Sequence, residues 1–349
     1  NKIKIKYNLL GSRKNNNIFV NEIRNNNDVF LSKDRLNIND LVKKHKFLKF
    51  DHEKNTLTIK SGNWDVSGDL IIPSGYKVLS DNNVKLKFDS GKIFLSFSPL
   101  KLKGHFKDSI SFTSKKDGDS WGGLILMNTL NDSLLESVYI SNVAGFNRSG
   151  SIVTGGITFY KSPVKIIKST FNKSFGEDLL NVFNSKIYIY DSIFKNSSYD
   201  AIDIDFGEGI IHNSTFYNIG NDAIDVSGSN INLSKLAIEK VGDKGLSIGE
   251  KSNVKAKYIN IIGANIGIAS KDLSKLNVSN SRLVSNKSFA IAAYKKKPEF
   301  GGGFIEASNV IFYKNKEKYI LDSFSKIILD NNSLDTSSYD TDYFDRNIK

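Results

Sequence analysis

The 349-residue chain contains no cysteine, so no disulfide holds it together. That absence is compatible with either the cytoplasm or the outside of a cell. No run of about 18 apolar residues occurs, which excludes a membrane-spanning helix. Histidine is scarce, with four residues, and no His/Cys cluster exists, so a zinc site is not expected. His212 stands alone just before Ser214 and reads as a surface residue rather than a catalyst. The first residue is Asn1, not Met, which suggests a processed secreted protein or a piece of a longer one.

What the chain has in excess is positive charge, with a formal net charge of +12. Such a balance attracts anionic polymers, acidic polysaccharides or nucleic acids among them. The lysines are scattered, however, and the aromatic residues occupy apolar strand positions rather than sites beside basic clusters. Nucleic acid is therefore disfavoured as a partner.

The organising feature is a repeat. The phrase Asp-Ala-Ile-Asp occurs at Asp200–Asp203 and again, 22 residues on, at Asp222–Asp225. A Ser-x-Phe element precedes each copy, at Ser192–Phe194 and Ser214–Phe216. One period earlier the frame holds Ser169, Phe171, Asp178 and Asn181, and one period later Ile238, Lys244 and Ser247. A period of this length, with strand alternation and no helical segment, specifies a solenoid of short strands. In Ala201–Asp205 the isoleucines alternate with aspartates, so Ile202 and Ile204 point inward. Leu180 and Val182, Ile224 and Val226, and Leu246 and Ile248 keep the same parity. Successive turns then stack like on like at about 4.8 Å.

The turns Ser185–Gly207, Glu208–Gly228, Ser229–Gly249 and Glu250–Ser270 resemble a right-handed parallel β-helix of the pectate-lyase-like superfamily. The phrases Gly242–Glu250, Ser270–Asp272 and Ala293–Pro298 are similar to β-helix regions of bacterial surface proteins, some attached to kinase-like domains of the spore-coat type. The resemblance runs from about Leu57 to Leu329 and specifies a fold better than an activity. It implies an all-β solenoid of about 22 residues per turn with an N-terminal capping segment. Three divisions are expected: an N-terminal segment and cap over 1–56, the β-helix over 57–330, and a C-terminal tail or cap over 331–349. A short helix near Asn39–His45, capped by Asn39 or Asp40, is the candidate cover for the first turn. The glycines of Trp121–Leu126 mark a tight corner. An insertion at Ala144–Thr154 is a candidate wall of a binding face.

Alignment on the Asp-Ala-Ile-Asp phrase gives three outward columns. One reads Asn181, Asp203, Asp225, Ser247, Ala269 and Ala292. A second reads Phe183, Asp205, Ser227, Gly249, Lys271 and Tyr294, and a corner column reads Asp178, Asp200, Asp222 and Lys244. Carboxylates stacked at strand spacing raise one another's pKa, so something must compensate. A calcium ion held by Asp203, Asp205 and Asp225 is one answer, and a shared proton another. For Asp200 and Asp222 the favoured answer is capping of backbone amides, with Lys244 neutralising the column. For Asp203, Asp205 and Asp225, on strand positions where Asp is depleted, function is favoured.

Two mechanisms fit. A hydrolase pairs Asp203 with Asp225 or Asp205 across a glycosidic bond. A lyase uses Asp203, Asp205 and Asp225 for the metal and Lys244 or Lys271 as base. Asp200, Asp222, Ser227, Ser247, Tyr294 and Lys296 are the expected substrate contacts, with Tyr294 placed to stack on a sugar ring. The polygalacturonase Asn-Thr-Asp and Arg-Ile-Lys signatures and the pectate-lyase arginine motif have no counterpart here. The leading expectation is a secreted or cell-surface protein that binds, and cleaves as lyase or hydrolase, an acidic polysaccharide or cell-surface glycan. The competing one is a non-enzymatic adhesin or spacer.

Overall fold

The computed structural model describes residues 2–7, 16–21, 37–105, 109–148 and 151–336. From Thr56 onward the chain winds as a parallel β-helix of about 12 turns with about 23 residues per turn. Each regular turn contributes three short strands, which form three parallel ladders. One ladder begins at Thr56–Ile59 and ends at Lys326–Leu329, and another begins at Gly62–Val66. The third is a separate eleven-stranded sheet from Leu70–Ile72 to Glu317–Leu321.

The inward parity read from the sequence holds. Leu180, Ile202, Ile224, Leu246 and Ile268 are in register on successive strands of the eleven-stranded sheet and are fully buried. Each such side chain contributes roughly 1.5–3 kcal/mol by leaving water. The Ser-x-Phe elements explain themselves in three dimensions. Phe171, Phe194 and Phe216 stack inside the rod with centroids 4.9 and 5.1 Å apart. The serines form a buried corner ladder, in which Ser169 N donates to Ser192 Oγ at 3.2 Å and Ser192 N to Ser214 Oγ at 3.1 Å. A hydroxyl at this corner satisfies a backbone amide that water cannot reach.

The Trp121–Leu126 corner is as tight as its glycines imply. Gly123 has φ +97°, and a Cβ there would lie 1.8 Å from the Gly156 carbonyl oxygen. At the N-terminal end, a helix spans Ile38–Lys44. Its N-cap is Asn37, whose side chain accepts from Asn39 N, not Asn39 or Asp40 as the sequence suggested, because the helix starts at Ile38, two residues before a helix capped by Asn39 would. Ile38, Phe47 and Leu48 are buried against the first turns. The strand Leu48–Asp51 pairs antiparallel with Thr56–Ile59, closing that edge. The apparently irregular N-terminal segment contains an antiparallel pair, Lys2–Tyr7 with Asn16–Asn21. Residues 337–349, most of the expected C-terminal tail, lie outside the described residues. Among the described residues no helix is long and apolar enough to cross a membrane.

Candidate acid–base site

The outer face of the eleven-stranded sheet changes character along the rod. Near the N-terminus it is apolar, with Ile71, Ile93, Leu95, Phe97, Ile125 and Met127 clustered. The Ala144–Thr154 insertion forms a hairpin, Phe146–Arg148 with Ser151–Val153, that lies on this patch through Phe146 and Val153. Arg148 pins it with two 3.1 Å bonds to the Asp69 carboxylate. Its end meets the acidic region, where Glu177 N donates to Thr154 O at 3.1 Å. The insertion therefore stands at one edge of the acidic face.

Beyond it the columns read from the sequence are in register. Asn181, Asp203, Asp225 and Ser247 are successive partners, as are Phe183, Asp205, Ser227 and Gly249. Asp203, Asp205 and Asp225 are half-buried on the outer face. At the corner, Asp200 Oδ1 accepts from Asp222 N at 2.8 Å and from Asn221 Nδ2 at 2.7 Å. Asp222 Oδ1 accepts from Lys244 N at 2.8 Å, with the Lys244 ammonium 3.8 Å away. The corner aspartates thus cap the next turn's amides, which is the structural role foreseen for them.

The protonation states divide the carboxylates. Burial, and then the charges of Asp178, Asp205, Asp225 and Asp200, push Asp203 up to about 9. Asp178 is pushed up to about 8 by burial and then by Asp200 and Glu177. Burial and Asp222 push Asp200 up to about 7. Burial also raises Asp205, helped by Asp225 and Glu250, and raises Asp222 despite the Lys244 charge. Asn181 Nδ2 donates to Asp203 Oδ2 at 3.1 Å and to Asp178 Oδ2 at 3.4 Å.

On the C-terminal side the face turns basic. Lys271, 4% exposed, donates to Ser247 Oγ at 2.8 Å and lies 3.8 Å from Asp225. Lys244, equally buried, also pairs with Asp243. Burial is the largest single influence and would lower both lysines, but the surrounding charges, led by Asp225 for Lys271 and by Asp222 for Lys244, together outweigh it, so both are raised. They are held as cations and are poor proton acceptors. Lys296, in contrast, is lowered, first by Lys271, then by burial and Lys244. Its loop is fixed by Asp272 Oδ1, which accepts from Lys296 N and Lys297 N at 2.8 Å each.

Of the expected substrate contacts, three do not face solvent: Asp222, 4% exposed and bonded to the Lys244 amide, Tyr294 and Ser247. Tyr294 is 0% exposed, in a cluster with Ile266, Ala269, Phe289, Ala292 and Ile320, so it cannot stack on a sugar. Ser247 is also fully buried and serves Lys271. Ser227 donates to Glu250, whose other oxygen meets the Lys297 ammonium at 2.6 Å. Burial pushes Glu250 upward, but these two bonds outweigh it and hold it low. Glu250 was not foreseen, and the run Lys295–Lys297 reads from the sequence as a solvated loop, with no partner for Lys297. Glu250 falls one residue past the aligned column, and Lys297 belongs to a loop outside the 22-residue frame. His212 lies on another ladder, bonded to Ser234 Oγ at 2.7 Å.

Among the described residues, the carboxylates whose oxygens converge within 4.8 Å are Asp200, Asp222 and Asp225. The expected metal set shares Asp225 with this trio. Asp222 and Asp225 already face lysine ammoniums, and Asp200 and Asp222 accept backbone amides, so the donor set fits a divalent cation poorly. A separate groove of about 480 Å3 runs on another face, over Leu233, Ala256, Val278 and Ala307.

Comparison with known proteins bears on the architecture. Residues 155–305 match the family model described as a right handed beta helix region. No curated protein matches the chain in sequence. Two solved structures of the periplasmic alginate epimerase AlgG are similar in shape. The enzyme itself aligns with TM-score 0.52 and 12% identity over 81% of this chain and 83% of its own. A point mutant aligns with TM-score 0.56 and 11% identity over 84% and 82%. With the ladders, the stacked core and the matched turns together, the chain is a right-handed parallel β-helix protein.

Proposed function

We propose that the chain binds an acidic polysaccharide across the Asp face and cleaves it by elimination at a uronate unit. The observation that carries this reading is the division of one surface between a raised, protonated Asp203 and a wall of lysines whose strands lie two to four turns away. A neutral acid beside cations and a depressed amine supplies the three functions elimination needs. Lys244 and Lys271 neutralise the uronate carboxylate, which acidifies the adjacent C–H. Lys296, whose ammonium releases its proton more readily beside Lys271 and Lys244, takes that proton once deprotonated, and the C–H electrons become the new C=C bond. The bond to the bridging oxygen breaks, and Asp203 gives its proton to that oxygen. Asp225 and Ser247 position Lys271, while Asp200 and Asp222 hold the turns in register. That a solved rod of this fold is an alginate epimerase makes acidic polysaccharides the class to test.

The test is incubation with polygalacturonate and with alginate, following ultraviolet absorbance of unsaturated ends alongside reducing ends. Elimination predicts that both rise together, and that Asp203→Asn and Lys296→Met each lower the rate at least about 100-fold. Reducing ends without absorbance would instead indicate hydrolysis through Asp203 and Asp225. No product from any acidic polysaccharide would leave the rod as a binding or spacer module. The amide caps of Asp200 and Asp222 already suit that second reading.

A further inference from the structure

We infer that Phe206 is the stacking floor of a sugar subsite adjoining the acid–base site, and that the flank beside it receives further units of the same acidic chain. This inference rests on the proposed function above. Three aromatic residues follow one another next to the aspartates. Tyr160 and Phe183 stack at 5.3 Å with planes 8° apart, and Phe183 meets Phe206 at 5.6 Å and 77°. Phe183 is the strand partner of Asp205, and Phe206 is the next residue in the chain. Because Tyr160 and Phe183 stack turn on turn, their faces are covered by each other. Phe206, rotated against them, presents a face.

Two observations set Phe206 apart from a packing residue. It is 60% exposed, and its backbone is left-handed with φ 53°. The equivalent corner positions of the neighbouring turns hold Asn184 at φ 48° and Gly228 at φ 60°, residues that tolerate this conformation. A bulky aromatic side chain in this region is strained, and such strain marks functional sites. The ring is seated on Gly228, where a Cβ would come within 2.8 Å of Phe206 Cδ1. Glycine there lets the ring lie against the rod.

Phe206 also borders a concavity of about 610 Å3 lined by Leu130, Lys161, Asn184, Gly228 and the pair Lys186–Glu208, whose ammonium and carboxylate lie 2.6 Å apart. Leu130 is 96% exposed. An apolar floor with the ammonium of Lys161 on its rim, in excess of the Lys186–Glu208 pair, matches a polymer of pyranose rings bearing carboxylates. Continuity with the Asp column argues for the same chain that enters the acid–base site, so the polymer turns off the face across the corner at Phe206.

The experiment uses calorimetry with galacturonate and mannuronate dimers and hexamers, on Asp203→Asn protein so that no cleavage occurs. Adding Phe206→Asn is expected to weaken hexamer binding about tenfold, a typical loss for one aromatic contact, and to change dimer binding less than about twofold. Phe206→Tyr should keep hexamer affinity. Thermal melting serves as the folding control, because asparagine relieves the left-handed strain and the melting temperature should hold or rise. Hexamer affinity unchanged by Phe206→Asn overturns the subsite and leaves the proposed function standing. Hexamers that bind the Asp203→Asn protein no better than dimers also overturn it. If no uronate oligomer binds, the proposed function falls and the subsite with it.

Discussion

Asp203→Asn should stabilise the protein at neutral pH and leave it nearly unchanged in acid. The Asp203 carboxyl has its folded pKa raised from 3.8 to about 9 by burial and the surrounding carboxylates. The folded state therefore binds this proton more tightly than the unfolded state does. Stability from this group is fully present below the unfolded value and is lost as pH rises toward the folded one. Between pH 4 and pH 7 that loss accumulates at about 1.36 kcal/mol per unit, or about 4 kcal/mol in all. Water reaching the half-buried carboxyl reduces this to about 2–4 kcal/mol. The amide of the variant does not titrate, and its oxygen still accepts from Asn181. For a chain of this length 1 kcal/mol moves the melting temperature by about 1.4 °C. The variant should therefore gain about 3–6 °C over the parent at pH 7 and almost nothing at pH 4. Parallel melting curves for parent and variant across that range would refute the reasoning. So would a variant less stable than the parent at pH 7.

Lys271→Met should cost about 3–5 kcal/mol, because Asp225 is left beside a buried apolar chain; adding Asp225→Asn should restore much of it, and denaturant midpoints decide. Phe194→Ala removes the middle ring of the Phe171–Phe216 stack and should cost about 3–5 kcal/mol by the same assay. Gly123→Ala should abolish soluble folded protein, since its Cβ would overlap the Gly156 carbonyl; a cooperative melt near the parent's would contradict that. Calcium titration at pH 7.5 should show binding no tighter than about 1 mM, the weak end for extracellular calcium sites. A saturable micromolar site lost in Asp225→Ala would reverse that view and restore a metal to the mechanism.

The fold was legible because in the central turns one strand repeats a two-residue alternation at a step of 22 residues, as in Ile202↔Ile224 and Ile224↔Leu246. Ile202 and Ile204 declare the inward side, and the 22-residue step places Ile224 and Val226 on top of them. The aspartate columns follow from the same arithmetic, so Asp203 meeting Asp225 could be read directly. What lay outside the period was harder to see. The Phe146–Val153 hairpin and the loop carrying Lys296 and Lys297 interrupt the frame, and no spacing says which way they fold. Tyr294 shows a second limit. Its column faces outward, yet the rod's outer face is covered there, and a column position does not report what covers it. Phe206 was invisible for a related reason, since a corner residue belongs to neither strand face and its exposure depends on backbone sign.

The most direct measurement is a crystal structure of the Asp203→Asn protein with a uronate hexasaccharide. A sugar carboxylate is expected within hydrogen-bond reach of Lys271 and Lys296, with the bridging oxygen next to residue 203. A hexasaccharide seated instead in the groove over Leu233, Ala256 and Val278, with the Asp face bare, would contradict it.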